Sequence, residues 1–462
     1  MAKKLIKNAY AIVTCDANDN VFYESDLLID GPAIVKIGKN IEAEDAEVID
    51  ASDKIIYPGL INTHHHFFQT FVRNLMTIDY PNLMVMDWID KIYRIFKEID
   101  DEVIYYASLT AMADLLKHGC TCAFDHQYCY TKKTGKLPVD RQMEAAKLLG
   151  IRYHAGRGAN TLPREEGSAI PEEMVETTEE FLQDCERLVK TYHDPNPYSM
   201  QQIVIAPCQP INCYEDTFIK SAQLARKLGV RLHTHLGEGE CAGIQERYGK
   251  RTLAWCEDIG FVGEDVWIAH GWELTPEEYE VLGRTGTGVS HCPTPAVLGG
   301  FPILDMKAMK EKNVLISLGC DGSATNDSSN LLDALRLSYL MQAYYSKQRG
   351  TCLTPYDLLK IATVNGAKTL GRDDLGTLEV SKGADLFMVD IKGLEMTGLI
   401  HDPKNLLPRG GVTGPVWMTM VNGEIVVKEG HLTKVDEKKL FLEGEAVCNR
   451  VLRDPHPHIW KK

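Results

Sequence analysis

Apolar and polar positions divide the chain into two ends that share a pattern and a middle that differs from both. Residues 4–57 alternate in short runs, "LIKNAYAIVT", "DLLIDGPAIVKIG" and "AEVIDASDKII", punctuated by Gly and Asp. Period-two alternation of this kind predicts strands joined by tight turns. The C-terminal part repeats it in "ADLFMVDI" and "VWMTMVNGEIVVKEG", where Asn422-Gly423 between two apolar runs predicts a hairpin. The middle reads otherwise. Apolar runs ending in polar residues, "LINTHHH", "CTCAFDHQ", "IRYHAGRG", "IVIAPC", "VRLHTHLGE", "VWIAHG", "GVSHCP" and "VLISLGCDG", alternate with stretches of helical spacing. Examples of the latter are "DEVIYYASLTAMADLLKHG", "DTFIKSAQLARKLG" and "LLDALRLSYLMQAYYSK". Eight strands alternating with helices predict an α/β fold, a parallel (β/α)8 barrel of the TIM type. An open doubly wound sheet is the rival, but no glycine-rich phosphate fingerprint follows the first strand. The two terminal β segments are expected to pair into one discontinuous β-sandwich. The expected organisation is therefore 1–57 for its first part, 58–370 for the barrel, and 371–462 for its second part with a C-terminal segment.

Composition narrows the function classes. The 462 residues are 44% apolar, enough for a large core. Acidic residues outnumber basic ones 65 to 50, a formal charge of −15, which argues against nucleic acid and anionic membrane as partners. No apolar run approaches the ~18 residues of a membrane span, and "MAKKLIKNAYAIVT" reads as a strand rather than a signal segment. The 13 cysteines, an odd number and scattered, are expected to be reduced thiols of a cytoplasmic protein.

The strand ends hold the chemistry. His64 and His66 are two residues apart, so they share a face of the first strand while His65 points away. Two imidazoles so placed can hold one cation between them. Strand five ends with His233 and His235. We expect His233 to lie one layer deeper, bonded to a backbone carbonyl, and His235 to be the ligand, with Glu238 three residues on as a proton carrier. Strand six ends at His270, strand seven at His291, and strand eight at Asp321, a carboxylate that must be compensated where a buried strand ends. Any one of these histidines fits a structural role equally well; their joint placement points to metal chemistry. Three histidines and one aspartate suit a borderline cation such as Zn²⁺ with room for water, and hence hydrolysis. His456 and His458 in the tail are weak metal candidates.

"PGLINTHHH", "HTHLGE", "IAHG" and "GCDGSATND", in that order, make the chain resemble the amidohydrolase superfamily over nearly its whole length. The resemblance implies metal ligands His64, His66, His235 and Asp321. It also implies that Glu238 shuttles protons and that His270 orients the water or polarises the substrate, making Glu238, His270 and Asp321 the catalytic set. Binuclear members carry a carboxylated lysine at the end of strand four. This chain has Cys208 there, which implies the mononuclear deaminase branch and one divalent ion, zinc or alternatively iron. The runs "GCTCAFDHQY", "HAGRG", "IAPCQP", "RTGTGVSHCP" and "LGCDGSATNDSSNLL" most resemble the 8-oxoguanine deaminase, guanine deaminase and triazine hydrolase group. After "SHCP", however, the 8-oxoguanine branch usually continues with a Ser-Asn stretch, and this chain has "TPAVLGGFP". The cytidine deaminase signature of His-x-Glu with Pro-Cys-x-x-Cys is absent.

The implied reaction is hydrolytic deamination of an amino-substituted heterocycle, foremost 8-oxoguanine to urate and ammonia. Guanine, isoxanthopterin, cytosine-type and s-triazine or N-alkylamine substrates are alternatives. A degenerate, non-enzymatic scaffold is the reading against which the full ligand set argues. For substrate contacts we expect Gln69, which matches a glutamine that contacts the purine in guanine deaminases, then Arg157 facing a ring carbonyl, and Cys208. An ion pair at the barrel rim is the alternative role for Arg157. Trp88 and Tyr93 fit either a cover over the site or a packing helix. The expected partners are a small heterocycle and, as in much of the family, further copies of the chain in a homo-oligomer, a dimer or larger.

Overall fold

A computed structural model describes residues 3–74, 85–349 and 353–455. Eight parallel strands run in sequence order around a barrel: β1 (Leu60–Asn62), β2 (Cys120–Gln127), β3 (Arg152–Ala159), β4 (Gln201–Pro207), β5 (Arg231–Leu236), β6 (Val266–His270), β7 (Gly288–His291) and β8 (Ile316–Leu318). Neighbours pair parallel from β1 to β8, with one register shift between Leu60 and Ile61 against β2. Hydrogen bonds from Thr63 N to Leu318 O (3.0 Å) and from Asp321 N to His64 O (3.0 Å) then draw the first and last strands together. Helices cover the outside, so the strands are buried on both faces and read as near-continuous apolar runs. Every residue of β2 and β3 is buried.

The helices begin and end where the sequence signals them. Asp100 accepts from Val103 N to cap the helix Asp101–Lys117. Thr177 and Glu180 form a reciprocal capping box on the helix Thr178–Tyr192. Gly229, at φ +70°, ends the helix Glu215–Leu228 in the left-handed conformation that glycine adopts without strain.

The two chain ends meet in a separate nine-stranded mixed sheet. Its seam is Lys54–Pro58 running antiparallel to Leu386–Asp390. Asn422 (φ 54°) and Gly423 (φ 77°) turn the strand Met418–Val421 into Glu424–Lys428, with both central residues in the positive-φ region that a tight hairpin demands. Ile6, Ile12, Leu27 and Ile34 from one end and Leu386, Met388, Met418 and Met420 from the other share one apolar cluster. The sheet therefore encloses its own core, beside the barrel rather than within it. Among the described residues, no helix is long and apolar enough to cross a membrane. His456 and His458 lie outside the described residues.

Candidate metal centre

The chain stays extended beyond β1, so alternation carries His64 and His66 to one side and His65 to the other. His65 Nε2 pairs with Ser329 Oγ at 2.9 Å, away from the barrel axis. The rings of His64 and His66 lie 4.7 Å apart, nearly perpendicular. His66 Nε2 lies 3.0 Å from His235 Nε2, and Asp321 Oδ1 lies 3.3 Å from Nε2 of both His64 and His66.

The other ring nitrogens decide what these atoms are. His66 Nδ1 donates to His126 O (2.9 Å) and His235 Nδ1 to Cys208 O (2.6 Å). His233 Nδ1 donates to Trp267 O (3.0 Å), which leaves its Nε2 to accept from His64 Nδ1 (2.9 Å). A carbonyl only accepts, so each Nδ1 carries its proton, and in the neutral ring Nε2 is then a bare lone pair. Burial pushes the pKa of both His64 and His235 well down, which keeps those rings neutral. His64 Nε2 has no hydrogen-bond partner. With the rings neutral, three lone pairs and a carboxylate face one another, an arrangement that fits a divalent cation. His64, His66, His235 and Asp321 are the side chains that would hold it. The amino-acid sequence did not reveal that His233 is itself the hydrogen-bond support of His64.

Glu238 follows on the turn after β5. Its Oε1 lies 3.5 Å from His270 Nε2, and its Oε2 accepts weakly from Gln209 Nε2 at 3.4 Å. Burial, helped by the charges of Asp321, Glu240 and Glu273, raises its pKa well above the ordinary range. Burial lowers that of His270 to about 4. Neither ring nitrogen of His270 makes a hydrogen bond. Both His270 (φ 78°) and Asp321 (φ 67°) occupy the left-handed region, an energetic cost typical of residues held for a task.

A cavity opens onto this cluster. Gln69 lines it, donating through Nε2 to Tyr128 Oη (3.2 Å) and accepting at Oε1 from Ala324 N (3.2 Å). Cys208 lines it too, as do Trp88 and Tyr93 from the helix Val85–Phe96. Tyr128, Gln209, Asn212 and Thr325 complete the wall. None of these four was singled out from the sequence, although Tyr128 continues the alternation from His126, and Thr325, whose Oγ1 donates to Asp321 Oδ2 (2.9 Å), sits one helical turn past it. No lysine or arginine lines this cavity among the described residues.

Arg157 is therefore a correction. On β3 the inward positions are Gly156 and Gly158; a Cβ there would come within 2.8 Å of Phe124 and His126 side-chain atoms. Arg157 points the other way, to the helices. Its Nε donates to Asp184 (2.8 Å), and Nη1 and Nη2 both donate to Glu176 (2.8 Å each). It is a buried ion-pair residue, not a substrate contact. His291 ends β7 buried, with neither ring nitrogen hydrogen-bonded. The loop after β7 forms a short helix, Pro293–Leu298, and returns Phe301 onto Trp272 (4.5 Å between rings), which in turn packs on His270 (4.4 Å).

Comparison with known proteins agrees with this geometry. The amidohydrolase family model matches residues 55–426. The chain is 46% identical to a hydroxydechloroatrazine ethylaminohydrolase of Pseudomonas sp. (strain ADP), covering 98% of this chain and 96% of that one. It is 34% identical to an 8-oxoguanine deaminase of Pseudomonas aeruginosa, covering 88% and 90%. Among solved structures, a variant of an atrazine chlorohydrolase from Arthrobacter aurescens TC1, complexed with zinc and atraton, superposes with a TM-score of 0.92 at 29% identity, over 96% of this chain and 99% of that one. Barrel, ligand cluster and relatives converge on one statement: the chain belongs to the amidohydrolase family, metal-dependent enzymes, and is a hydrolase of C–N bonds.

Proposed function

We propose that the protein removes an exocyclic amine hydrolytically from a hydroxylated s-triazine, with an N-ethylamino group as the leaving amine. The observation that carries this reading is the 46% identity, over 98% of the chain, to an enzyme named for that reaction. The cavity supports it. Its polar wall offers the carboxamides of Gln69, Gln209 and Asn212 and, among the described residues, no lysine or arginine, which suits a neutral ring edged with nitrogens and a carbonyl. Trp88, Tyr93 and Tyr128 offer aromatic surface for the ring face and an alkyl group. Deamination of 8-oxoguanine to urate is the second reading, favoured by the motif run through β2, β4 and β8 and by the 34% relative.

A single divalent ion, zinc by analogy with the zinc-bound structural relative, would sit among His64, His66, His235 and Asp321. When bound it supplies Lewis-acid activation of water. The chain's own side chains do the rest. Asp321 accepts the proton that the water gives up. Glu238, protonated, donates to the ring nitrogen beside the carbon under attack; as the C–N bond breaks, the proton held by Asp321 passes to the departing nitrogen and Glu238 recovers its own from the ring nitrogen. His270 holds the attacking oxygen. In balance, water's oxygen joins the ring carbon, the C–N bond breaks, and water's two hydrogens end on the amine and on the new hydroxyl or its ring tautomer.

The test incubates metal-loaded protein separately with hydroxydechloroatrazine and with 8-oxoguanine, measuring ethylamine, ammonia and urate. Ethylamine release at the higher kcat/KM supports the proposal. Urate formation with no ethylamine overturns it in favour of the second reading.

A further inference from the structure

The turn that carries Glu238, "HLGEGEC" at 235–241, is held in an unusual way. Four of its backbone amides point at two carboxylates that do not line the cavity. Gly237 N donates to Glu240 Oε1 (2.7 Å) and Glu238 N to Glu240 Oε2 (2.8 Å). Gly239 N and Cys241 N both donate to Glu273 Oε2 (2.8 and 3.3 Å). Glu240 is only 1% exposed. Glu273 comes from the segment just beyond β6, whose strand ends at His270, and its own N donates back to Gly237 O at 3.1 Å. The glycines on either side of Glu238 have φ of +73° and +104°, and a Cβ on Gly237 would approach Gly271 Cα at 3.0 Å. The backbone around Glu238 is thus intrinsically permissive, because glycine adopts many conformations. What fixes it is the pair of charge-assisted clamps.

We propose that Glu240 and Glu273 are positioning residues for Glu238. They fix the turn so that the Glu238 carboxyl stands against His270, and they lock the β5 and β6 ends, which carry the two groups, to each other. Neither touches the substrate cavity, so each acts through Glu238. The proposal rests on the proton-carrying role given to Glu238 above.

The two clamps differ in a way that can be tested. Glu240 uses both oxygens as acceptors. Glutamine has one acceptor, and its NH2 would face a backbone N–H. Glu273 uses one oxygen for both amides, so glutamine can reproduce it. In metal-loaded enzyme, Glu240→Gln and Glu273→Ala are each expected to lower kcat by about tenfold or more, with KM and metal content little changed, because misplacing a reacting group by about 1 Å can cost ~100-fold. Glu273→Gln is expected to restore kcat to within about twofold. Amide hydrogen exchange over residues 236–242 should quicken in Glu240→Gln and Glu273→Ala and stay slow in Glu273→Gln.

Hydroxydechloroatrazine is the probe, with 8-oxoguanine as the second. Near-normal kcat in Glu240→Gln overturns the proposal, as does a fall in kcat with unchanged exchange over the turn. If Glu240→Gln fails to fold, the Glu273 pair decides: equal activity of the Ala and Gln variants overturns it. Full turnover in Glu238→Gln would instead overturn the role of Glu238 itself, whatever the exchange data show about the clamps.

Discussion

Replacing Arg157 separates a pocket residue from a wall residue. Arg157→Met keeps much of the length and removes the charge. The guanidinium sits 3.4 Å from the Tyr130 ring centroid and bridges Glu176 and Asp184, with its own side chain 1% exposed. Breaking a buried ion pair by removing one partner costs roughly 3–5 kcal/mol, because a buried charge is left uncompensated. Here the lower figure applies. Asp184 keeps Arg187 at 2.7 Å, and the Glu176 side chain retains some contact with water. At roughly 2 cal/mol/K per residue, the unfolding entropy of 462 residues is about 1 kcal/mol/K, so the melting temperature should fall by about 3 °C if the molecule melts as one unit. Amine release at 25 °C should keep kcat and KM within about twofold of the parent, since none of the cavity wall is altered. The paired assay is a thermal scan and steady-state kinetics on one preparation. A KM raised tenfold or more with an unmoved melting temperature would refute the reasoning and return Arg157 to the substrate.

Three further outcomes are expected. Glu238→Gln should retain fold and metal while turnover falls by ~10²–10⁴-fold, measured as single-turnover amine release; near-normal turnover in this variant combined with an inactive Glu240→Gln would mean that the wrong carboxylate has been chosen. Elemental analysis should give one divalent metal per chain, lost in His64→Ala and kept in His65→Ala, whose ring faces Ser329; two equivalents would contradict the mononuclear reading. His291, pushed down to about 4 by burial with a smaller push from His270, stays neutral in the folded chain between pH 6.5 and 4 while the unfolded chain takes up its proton. The unfolded state then binds more protons, so stability present above pH 6.5 is lost on acidification, by about 2 kcal/mol from pH 7 to pH 5 for this group. Other buried histidines, His64, His235 and His270 among them, add their own losses, so the measure is a difference: the stability lost between pH 7 and pH 5, from urea midpoints, should be smaller in His291→Asn than in the parent by that increment.

The barrel, and the convergence of the candidate ligands at its strand ends, were legible in the sequence because they rest on local rules. Strand alternation sends His64 and His66 to one side and His65 to the other, and apolar runs ending in polar residues mark the rim. The same alternation, applied to "HAGRG", would have turned Arg157 outward. It was obscured because the inward positions, Gly156 and Gly158, carry no side chain to mark the face. Their emptiness is a packing requirement set by Phe124 and His126 on the neighbouring strand, and that neighbour becomes apparent only in three dimensions. Gln69, Cys208, Trp88 and Tyr93 of the cavity wall were singled out from the sequence, but Tyr128, Gln209, Asn212 and Thr325 were hidden for a similar reason. Gln69, Tyr128 and Ala324 meet through hydrogen bonds across 59 and 255 residues of chain, and no spacing rule operates at that range.

The tautomer pattern ties the candidate metal centre to the barrel's integrity. The acceptors that fix the imidazoles belong to β2 (His126 O), the residue after β4 (Cys208 O) and, through His233, β6 (Trp267 O). Each candidate ligand is thus aimed by a strand other than its own, and a local slip of one strand would release a proton to the wrong nitrogen of its neighbour's imidazole. Conversely, three lone pairs and a carboxylate held within hydrogen-bonding distance repel one another unless a cation intervenes. The polypeptide meets that repulsion with backbone hydrogen bonds distributed around the barrel. Binding of a divalent ion removes it and adds its binding free energy to the folded state. The centre therefore contributes to the stability of the barrel that builds it, and losing the ion should loosen β1, β5 and β8 together rather than any one strand alone.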